Sequence, residues 1–262
     1  MDAGLDHGLA DHVVAIMGGT SGIGLAIALA LASRGVKIVA LGKQDAYLLS
    51  AREQLAGHTI LAGDATVPES AETLTSTAWD THHRLDGLVH VAGGSGRRLG
   101  DAPLHLLTDE GLTGTMALNL HSAAWSNRAA LRLWMAKKLP GSIVNISSVL
   151  ATRPSAEHFS THAYAAAKAG LNGLSLAAAA HYAASGIRVN VIAPGLTDTP
   201  MASRAAADPG IRAFIQQKQP LDGGRMATPD DVTGAALFLL SPASRFCTGQ
   251  ILAIDGGWSV SG

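Results

Sequence analysis

The sequence predicts an α/β fold, a single doubly wound domain whose mostly seven-stranded parallel sheet carries helices on both faces. Two observations predict it: short apolar runs alternate with helical patterns along almost the whole chain, and those runs are near-continuous in valine, isoleucine and leucine. Strands of that kind are buried on both faces, as in parallel sheets with right-handed helical crossovers. The composition agrees: of 262 residues, 47% are apolar and 15% charged, enough for one large domain with a deep interior and short for two.

Val13–Met17 is the first expected strand, and residues 22–34 are the first helix, closed by Gly35. Residues 36–41 make the next strand, 46–56 a helix and Thr59–Ala62 a strand; Pro68 then opens a helix. A fourth strand covers residues 87–91. Two long helical patterns, 108–119 and 123–138, precede a strand at 142–146. An alanine-rich helix containing Tyr164 follows, then strands at 188–193 and Ile251–Ile254. Between those last two strands, Thr228-Pro229-Asp230-Asp231 is a helix start: a capping threonine, proline at the first position and acids near the positive helix end. No repeat, linker or low-complexity segment interrupts the pattern.

Residues 1–10 are acidic and lack the basic-then-apolar order of a signal peptide, so they are expected to be a loose leader ahead of one domain at 11–262. The 19 Lys+Arg balance 20 Asp+Glu to a formal charge of -1, with no basic stripe to neutralise nucleic-acid phosphates. Cys247 is the only cysteine, which excludes an internal disulfide and a cysteine-rich zinc site and suits a reducing, cytoplasmic compartment. The longest stretch without formal charge, 169–187, contains Asn172, Ser175, His181 and Tyr182; a buried helix, not a membrane span, is expected there.

Residues 18–24, GGTSGIG, lie where the first strand ends and the first helix begins. Glycine lets the backbone turn tightly and approach a pyrophosphate, and the helix N-terminus offers free N–H groups to the anion. The spacing of Gly18, Gly22 and Gly24 differs from the common Gly-x-Gly-x-x-Gly, but its place after the first strand favours nucleotide binding over a plain tight turn. In residues 160–170, STHAYAAAKAG, Tyr164 and Lys168 are four apart on a helix and share a face. An ammonium beside a phenol favours the phenolate and lowers its pKa from about 10, which makes a tunable proton donor.

Gly18/Gly22/Gly24, Asn119 in Leu118-Asn119-Leu120, Ser148 in Asn145-Ile146-Ser147-Ser148, Tyr164 with Lys168, Pro194-Gly195 and Asp255-Gly256-Gly257 together resemble the classical short-chain dehydrogenase/reductase family, from Val13 to about Trp258. The resemblance implies a single Rossmann-type domain that transfers a hydride between a nicotinamide and a carbonyl or alcohol carbon. It implies Tyr164 as general acid/base, Ser148 as hydrogen-bond donor to the substrate oxygen, and Asn119 as the holder of a relay water. Lys168 would lower the tyrosine pKa and hold the nicotinamide ribose. Ser147 rivals Ser148, but the second serine matches the family position.

The cofactor set carried over from the family starts with Gly18, Thr20, Ser21, Gly22, Ile23 and Gly24 in the first turn. Lys43, Asp64 and Ala65 stand at strand tips, with Asp64 for the adenine; Ala92, Gly93 and Gly94 follow the fourth strand. Tyr164, Lys168, Pro194, Gly195, Thr197 and Thr199 complete it, the threonines for the carboxamide. NADP(H) is favoured over NAD(H), because members using NAD often place an aspartate at the Gly42 position. Here no carboxylate stands there to repel a 2′-phosphate and Lys43 could attract one, although Asp45 is near and Ser21 adds no second positive charge.

The chain departs from the family at His90-Val91-Ala92-Gly93, where many members carry Asn-Asn-Ala-Gly, so the usual polar bracing is expected to be missing. The long segment between Ser148 and Tyr164 holds Arg153, Glu157, His158 and His162, which could meet an acidic substrate or form a solvated loop. His158 and His162 have metal-compatible spacing, but no further ligands complete a cluster, and no metal is expected. Residues 196–225 mix Met201, Phe214 and Ile215 with Arg204, Arg212 and Lys218, and are expected to cover a small-molecule substrate. Trp125, Trp134 and the small residues 177–180 would suit helix packing between subunits, the family being commonly homotetrameric or homodimeric. A cofactor-binding regulatory protein without turnover is the alternative function; Asn119, Ser148, Tyr164 and Lys168 together favour the enzyme.

Overall fold

Each apolar run expected to be a strand is one in the computed structural model, which describes residues 8–261. The strands are β1 (Val13–Met17), β2 (Lys37–Gly42), β3 (Thr59–Ala62), β4 (Gly87–His90), β5 (Gly141–Ile146), β6 (Ile187–Pro194) and β7 (Ile251–Ile254). They form one parallel sheet in the order β3-β2-β1-β4-β5-β6-β7. The helices are α1 (Gly22–Ala32), α2 (Asp45–Gln54), α3 (Pro68–His82), α4 (Asp109–Met116), α5 (Ser122–Lys137), α6 (His162–Tyr182), α7 (Ser203–Ala207), α8 (Pro209–Lys218) and α9 (Pro229–Leu240).

The two faces of the sheet follow from the two-residue period of a strand. Val14 and Ile16 of β1 pack on one side with Ile27 and Leu31 of α1 and Val232 and Ala236 of α9. Val13, Ala15 and Met17 pack on the other with Leu74 and Ala78 of α3 and Ala130 and Trp134 of α5. Both faces are covered, which is why β1 has no polar residue along its length.

Three expectations change. The helical patterns at 108–119 and 123–138 are one rod, because α4 runs through a π-helical turn at Ala117–His121 straight into α5. Of the leader expected over residues 1–10, residues 1–7 lie outside the described residues. Leu9, however, is 1% exposed and belongs to the core under α1 and α9, since an apolar side chain beside β1 gains by leaving water.

Trp134, expected at a subunit contact, is fully buried inside the chain. A helix laid on a sheet turns its largest apolar group inward, and the indole N–H is satisfied by Leu85 O at 2.7 Å. Gly141 makes the room: a Cβ there would stand 2.4 Å from the Trp134 ring. Gly141→Ala should therefore destabilise the fold by about 1–3 kcal/mol, seen in urea as a lower midpoint at an unchanged slope.

Candidate active site

The strand order reverses its direction of winding between β1 and β4, and open α/β sheets bind ligands in the crevice at such a point. The tips of these two strands are tied there, because Val91 and Ala92 donate their N–H groups to Met17 O at 2.8 and 3.0 Å. Gly18 turns at φ +87°, and a Cβ on it would lie 2.6 Å from Ala92 N. Gly24 lets α1 close on the same turn, its missing Cβ falling 2.0 Å from Gly18 O. Side chains at these two positions would push the glycine turn off the sheet.

A cavity of about 290 Å³ lies over this meeting point. The glycine turn contributes Gly18, Ser21, Gly22 and Ile23 to its wall, and the turn after β4 contributes Ala92, Gly93 and Gly94. Ser148, Tyr164 and Lys168 line the next side; Pro194, Gly195, Thr197 and Thr199 close over them. The remaining expected site residues, Thr20, Gly24, Lys43, Asp64, Ala65 and Asn119, lie outside the cavity lining.

Tyr164 and Lys168 meet on one face of α6, with the ammonium 5.7 Å from the ring centroid. Lys168 is 3% exposed and donates to Ile146 O at the tip of β5, at 2.8 Å. The two serines after that strand are separated by their partners: Ser147 donates to Lys168 O at 3.2 Å, whereas Ser148 caps a short turn by accepting from Leu150 N and faces Tyr164. Asn119 sits in the π-helical turn, fully buried. Its Oδ1 accepts from Gly94 N at 3.0 Å, and its Nδ2 donates to Gly94 O and Thr115 O, both at 2.9 Å. The Asn119 side chain thus braces the 92–94 turn.

The family model described as enoyl-(acyl carrier protein) reductase matches residues 18–259. A cis-4-hydroxycyclohexanecarboxylate dehydrogenase from Sinomonas cyclohexanicum is 38% identical, over 97% of this chain and 99% of that protein. A galactitol 2-dehydrogenase (L-tagatose-forming) from Cereibacter sphaeroides is 34% identical over 94% of each chain. The solved structure of a short-chain type dehydrogenase/reductase from Mycobacterium ulcerans superposes with a TM-score of 0.87 at 30% identity, covering 96% of this chain and 91% of that one. The chain is a short-chain dehydrogenase/reductase. It is an oxidoreductase that acts on CH–OH groups with a nicotinamide cofactor.

In this dehydrogenase burial raises the Tyr164 pKa, and the Ser148 hydrogen bond only partly opposes that. The Lys168 ammonium is itself buried, which pushes its pKa down to about 8. Lys43 and Asp64, expected to hold different parts of a dinucleotide, form an ion pair at 2.5 Å across the tips of β2 and β3. Partial burial works to raise the Asp64 pKa, but hydrogen bonds from Lys43 and Thr66 outweigh it and hold the carboxyl below its ordinary value.

The segment between Ser148 and Tyr164 is exposed at Arg153, Glu157 and His162, and several of its polar side chains have partners within the chain. Arg153 donates to Ser259 O and Thr152 O, His162 Nδ1 accepts from Leu104 N at 3.1 Å, and the His158 ring lies 5.0 Å from that of Phe214. Among the described residues, no three His, Cys, Asp or Glu side chains stand close enough to hold a metal ion.

Two positioning residues went unseen in the sequence. Asp101, 4% exposed, accepts from Ala163 N at 3.0 Å and Tyr164 N at 2.9 Å, so a carboxylate from a distant turn caps α6 and sets the height of Tyr164. Gln219 accepts from Leu196 N at 2.6 Å and donates to Leu196 O, pinning the segment after Gly195. No local pattern announces either residue, because each partner lies at least 23 residues away in sequence.

His90 supplies the bracing expected to be missing. Fully buried at the tip of β4, it meets Ser126 Oγ at 2.8 Å through Nδ1 and Ser122 Oγ at 3.3 Å through Nε2, and Ser122 donates to Leu118 O beside Asn119. Burial and the Lys168 charge push its pKa down to about 3. The unfolded chain takes up this proton near pH 6.5, so His90 contributes stability that is present above 6.5 and is lost as pH falls toward 3. His90→Asn should remove about 2 kcal/mol of the stability loss between pH 7.5 and 5, read from urea midpoints of the two proteins at both pH values.

Proposed function

We propose that this dehydrogenase interconverts a ketone and an alcohol on a small substrate with an apolar ring, using NADP(H), with Tyr164 as the proton-transfer residue. The observation that carries this reading is the convergence of Ser148, Tyr164 and Lys168 on one cavity whose opposite wall is the glycine turn. That wall fits a dinucleotide: the N-terminal N–H groups of α1 open beside it, with no side-chain cap from Ser21, and its close-packed glycines leave room for a pyrophosphate. When bound, the nicotinamide supplies or accepts the hydride.

Burial keeps the Tyr164 phenol neutral, which suits donation of its proton to the alkoxide oxygen that forms during reduction. Ser148, in hydrogen-bonding reach of that phenol, offers a second donor to the same oxygen, where negative charge grows. Lys168 gives one hydrogen bond to Ile146 O and has two further donors, which would hold the ribose hydroxyls of a bound nicotinamide nucleotide. Asn119 acts as a positioning residue through Gly94. Thr197 and Thr199, both in the cavity wall, would hold the nicotinamide carboxamide, and residues 196–225 would cover the substrate.

Two relatives are named for a hydroxycyclohexanecarboxylate and a polyol. The walls beyond Ser148 include Val149, Leu150, Phe159 and Trp258, which favours a carbocycle over a polyol. A regulator without turnover finds no support in relatives named as dehydrogenases and reductases. A homodimer or homotetramer is also proposed, on the exposed Leu176, Ala177 and Ala180 of α6 beside the half-buried Trp125 of α5.

The preference for NADP(H) rests on the tip of β2. A Cβ at Gly42 would fall 2.0 Å from Thr20 Oγ1, so the space an aspartate would need is filled by a threonine. Lys43, whose side chain is 72% exposed, would take a 2′-phosphate in exchange for Asp64. The ratio of kcat/KM for NADPH over NADH should exceed about ten and fall about tenfold in Lys43→Ala; a native preference for NADH would overturn the assignment. Tyr164→Phe should bind NADPH as the native protein does, by fluorescence titration, and lose at least about a hundredfold in kcat on cyclohexanone. Turnover within a few-fold of native would remove Tyr164 from the chemistry.

A further inference from the structure

One pair of charges in the cavity takes no part in the chemistry above. Arg97, in the short turn Arg97–Leu99 after β4, and Arg204, on α7, both line the cavity that Ser148 and Tyr164 line. They arrive from different sides, one on the sheet's loops and one on the covering segment, and both are solvent-exposed, as groups at a mouth are. Arg97 is oriented, because its Nη2 donates to His158 O at 3.1 Å and the His158 ring packs on Phe214.

Neither guanidinium is in an ion pair among the described residues. The carboxylate that acts on Arg97, Asp101, already gives both its oxygens to the start of α6. Burial and the Arg204 charge both work against the charge on Arg97, so the two cations lie within electrostatic reach of one another. Two cations that line one cavity, neither in an ion pair among the described residues, are stabilised when an anion bridges them, and a planar guanidinium fork matches a carboxylate. Val149, Leu150, Phe159 and Trp258 line the same cavity.

We propose that Arg97 and Arg204 form a carboxylate subsite at the cavity mouth, so that the substrate is an alcohol or ketone with an anionic group at the end away from the reacting carbon. This places the recognition of an acidic substrate on residues other than Arg153 and the histidines of the 153–162 segment. The site of hydride transfer rests on the function proposed above; the anion subsite stands on Arg97 and Arg204 alone. The phosphates of the dinucleotide are the other anions within reach, and the test separates them.

Calorimetry with cyclohexanecarboxylate and the neutral cyclohexanecarboxamide, each added to the NADPH complex of the native protein, Arg97→Gln and Arg204→Gln, reads the subsite without any turnover. The native complex should bind the carboxylate at least about tenfold more tightly than the amide, and each substitution should abolish most of that preference while leaving the amide and NADPH affinities within about twofold. Equal binding of the two probes by the native protein, or a parallel loss for both probes in the variants, overturns the proposal. Loss of NADPH affinity without loss of the carboxylate preference also overturns it, by assigning the guanidinium groups to the cofactor. In parallel, kcat/KM for 4-oxocyclohexanecarboxylate against its methyl ester should show the same selective loss. A retained binding preference with no turnover of either ketone supports the subsite and counts against the reaction proposed above.

Discussion

A buried ammonium organises this molecule. Lys168 is 3% exposed, is in no ion pair among the described residues, and has Ile146 O as its acceptor from the protein. Burying a charge this way is costly, and its pKa of about 8 records the cost. The rest of the fold is arranged so that the cost is tolerated. Lys168 spans from α6 to the tip of β5, and Ser147 returns a hydrogen bond from that strand end to Lys168 O. The two bonds lock the helix bearing Tyr164 against the strand end bearing Ser148, so that the phenol and the hydroxyl face one another without either being tied to the other's backbone.

A second constraint acts at the opposite wall. The β1 and β4 tips approach until Gly18 and Ala92 are in backbone contact, and the sheet order makes these neighbours although they are 74 positions apart. What holds the second tip is a set of buried polar groups, with His90 on Ser122 and Ser126, and Asn119 on Gly94. Gly93 is the point where the two constraints touch, since a Cβ there would stand 2.7 Å from Asn119 Oδ1 and 3.3 Å from Lys168 Nζ. The π-helical turn that breaks the regularity of the α4–α5 rod falls at this contact, in keeping with the frequent use of such turns at functional sites.

The covering segment is held differently, by a small apolar cluster of its own. Ile211 and Ile215 of α8 and Ala205 of α7 pack with Val149 and Trp258, and Phe159, Phe214 and Trp258 form a ring of aromatic contacts with centroids 5.5–6.3 Å apart. The Trp258 indole donates to Arg153 O, and Asp255 folds the closing turn by accepting from Gly257 N and Ser259 N. The chain end thus supports the substrate side of the cavity.

Everything set by local periodicity was legible from residues alone. Seven short apolar runs named the strands, the glycine turn named the start of the first helix, and the four-residue spacing of Tyr164 and Lys168 put them on one face. The sequence by itself also decided that Ser148, after the β5 tip, and Pro194-Gly195, at the β6 tip, share one edge of a parallel sheet. Only tertiary structure decided what each charged or polar group meets: Lys43 its Asp64, Asp101 the start of α6, His90 its serines, Trp134 the interior, and Arg97 the His158 carbonyl. The physical reason is range. Hydrogen-bond ladders and hydrophobic faces repeat over two to four residues and so are written locally, whereas a buried polar atom needs whichever partner the strand order delivers from dozens of residues away.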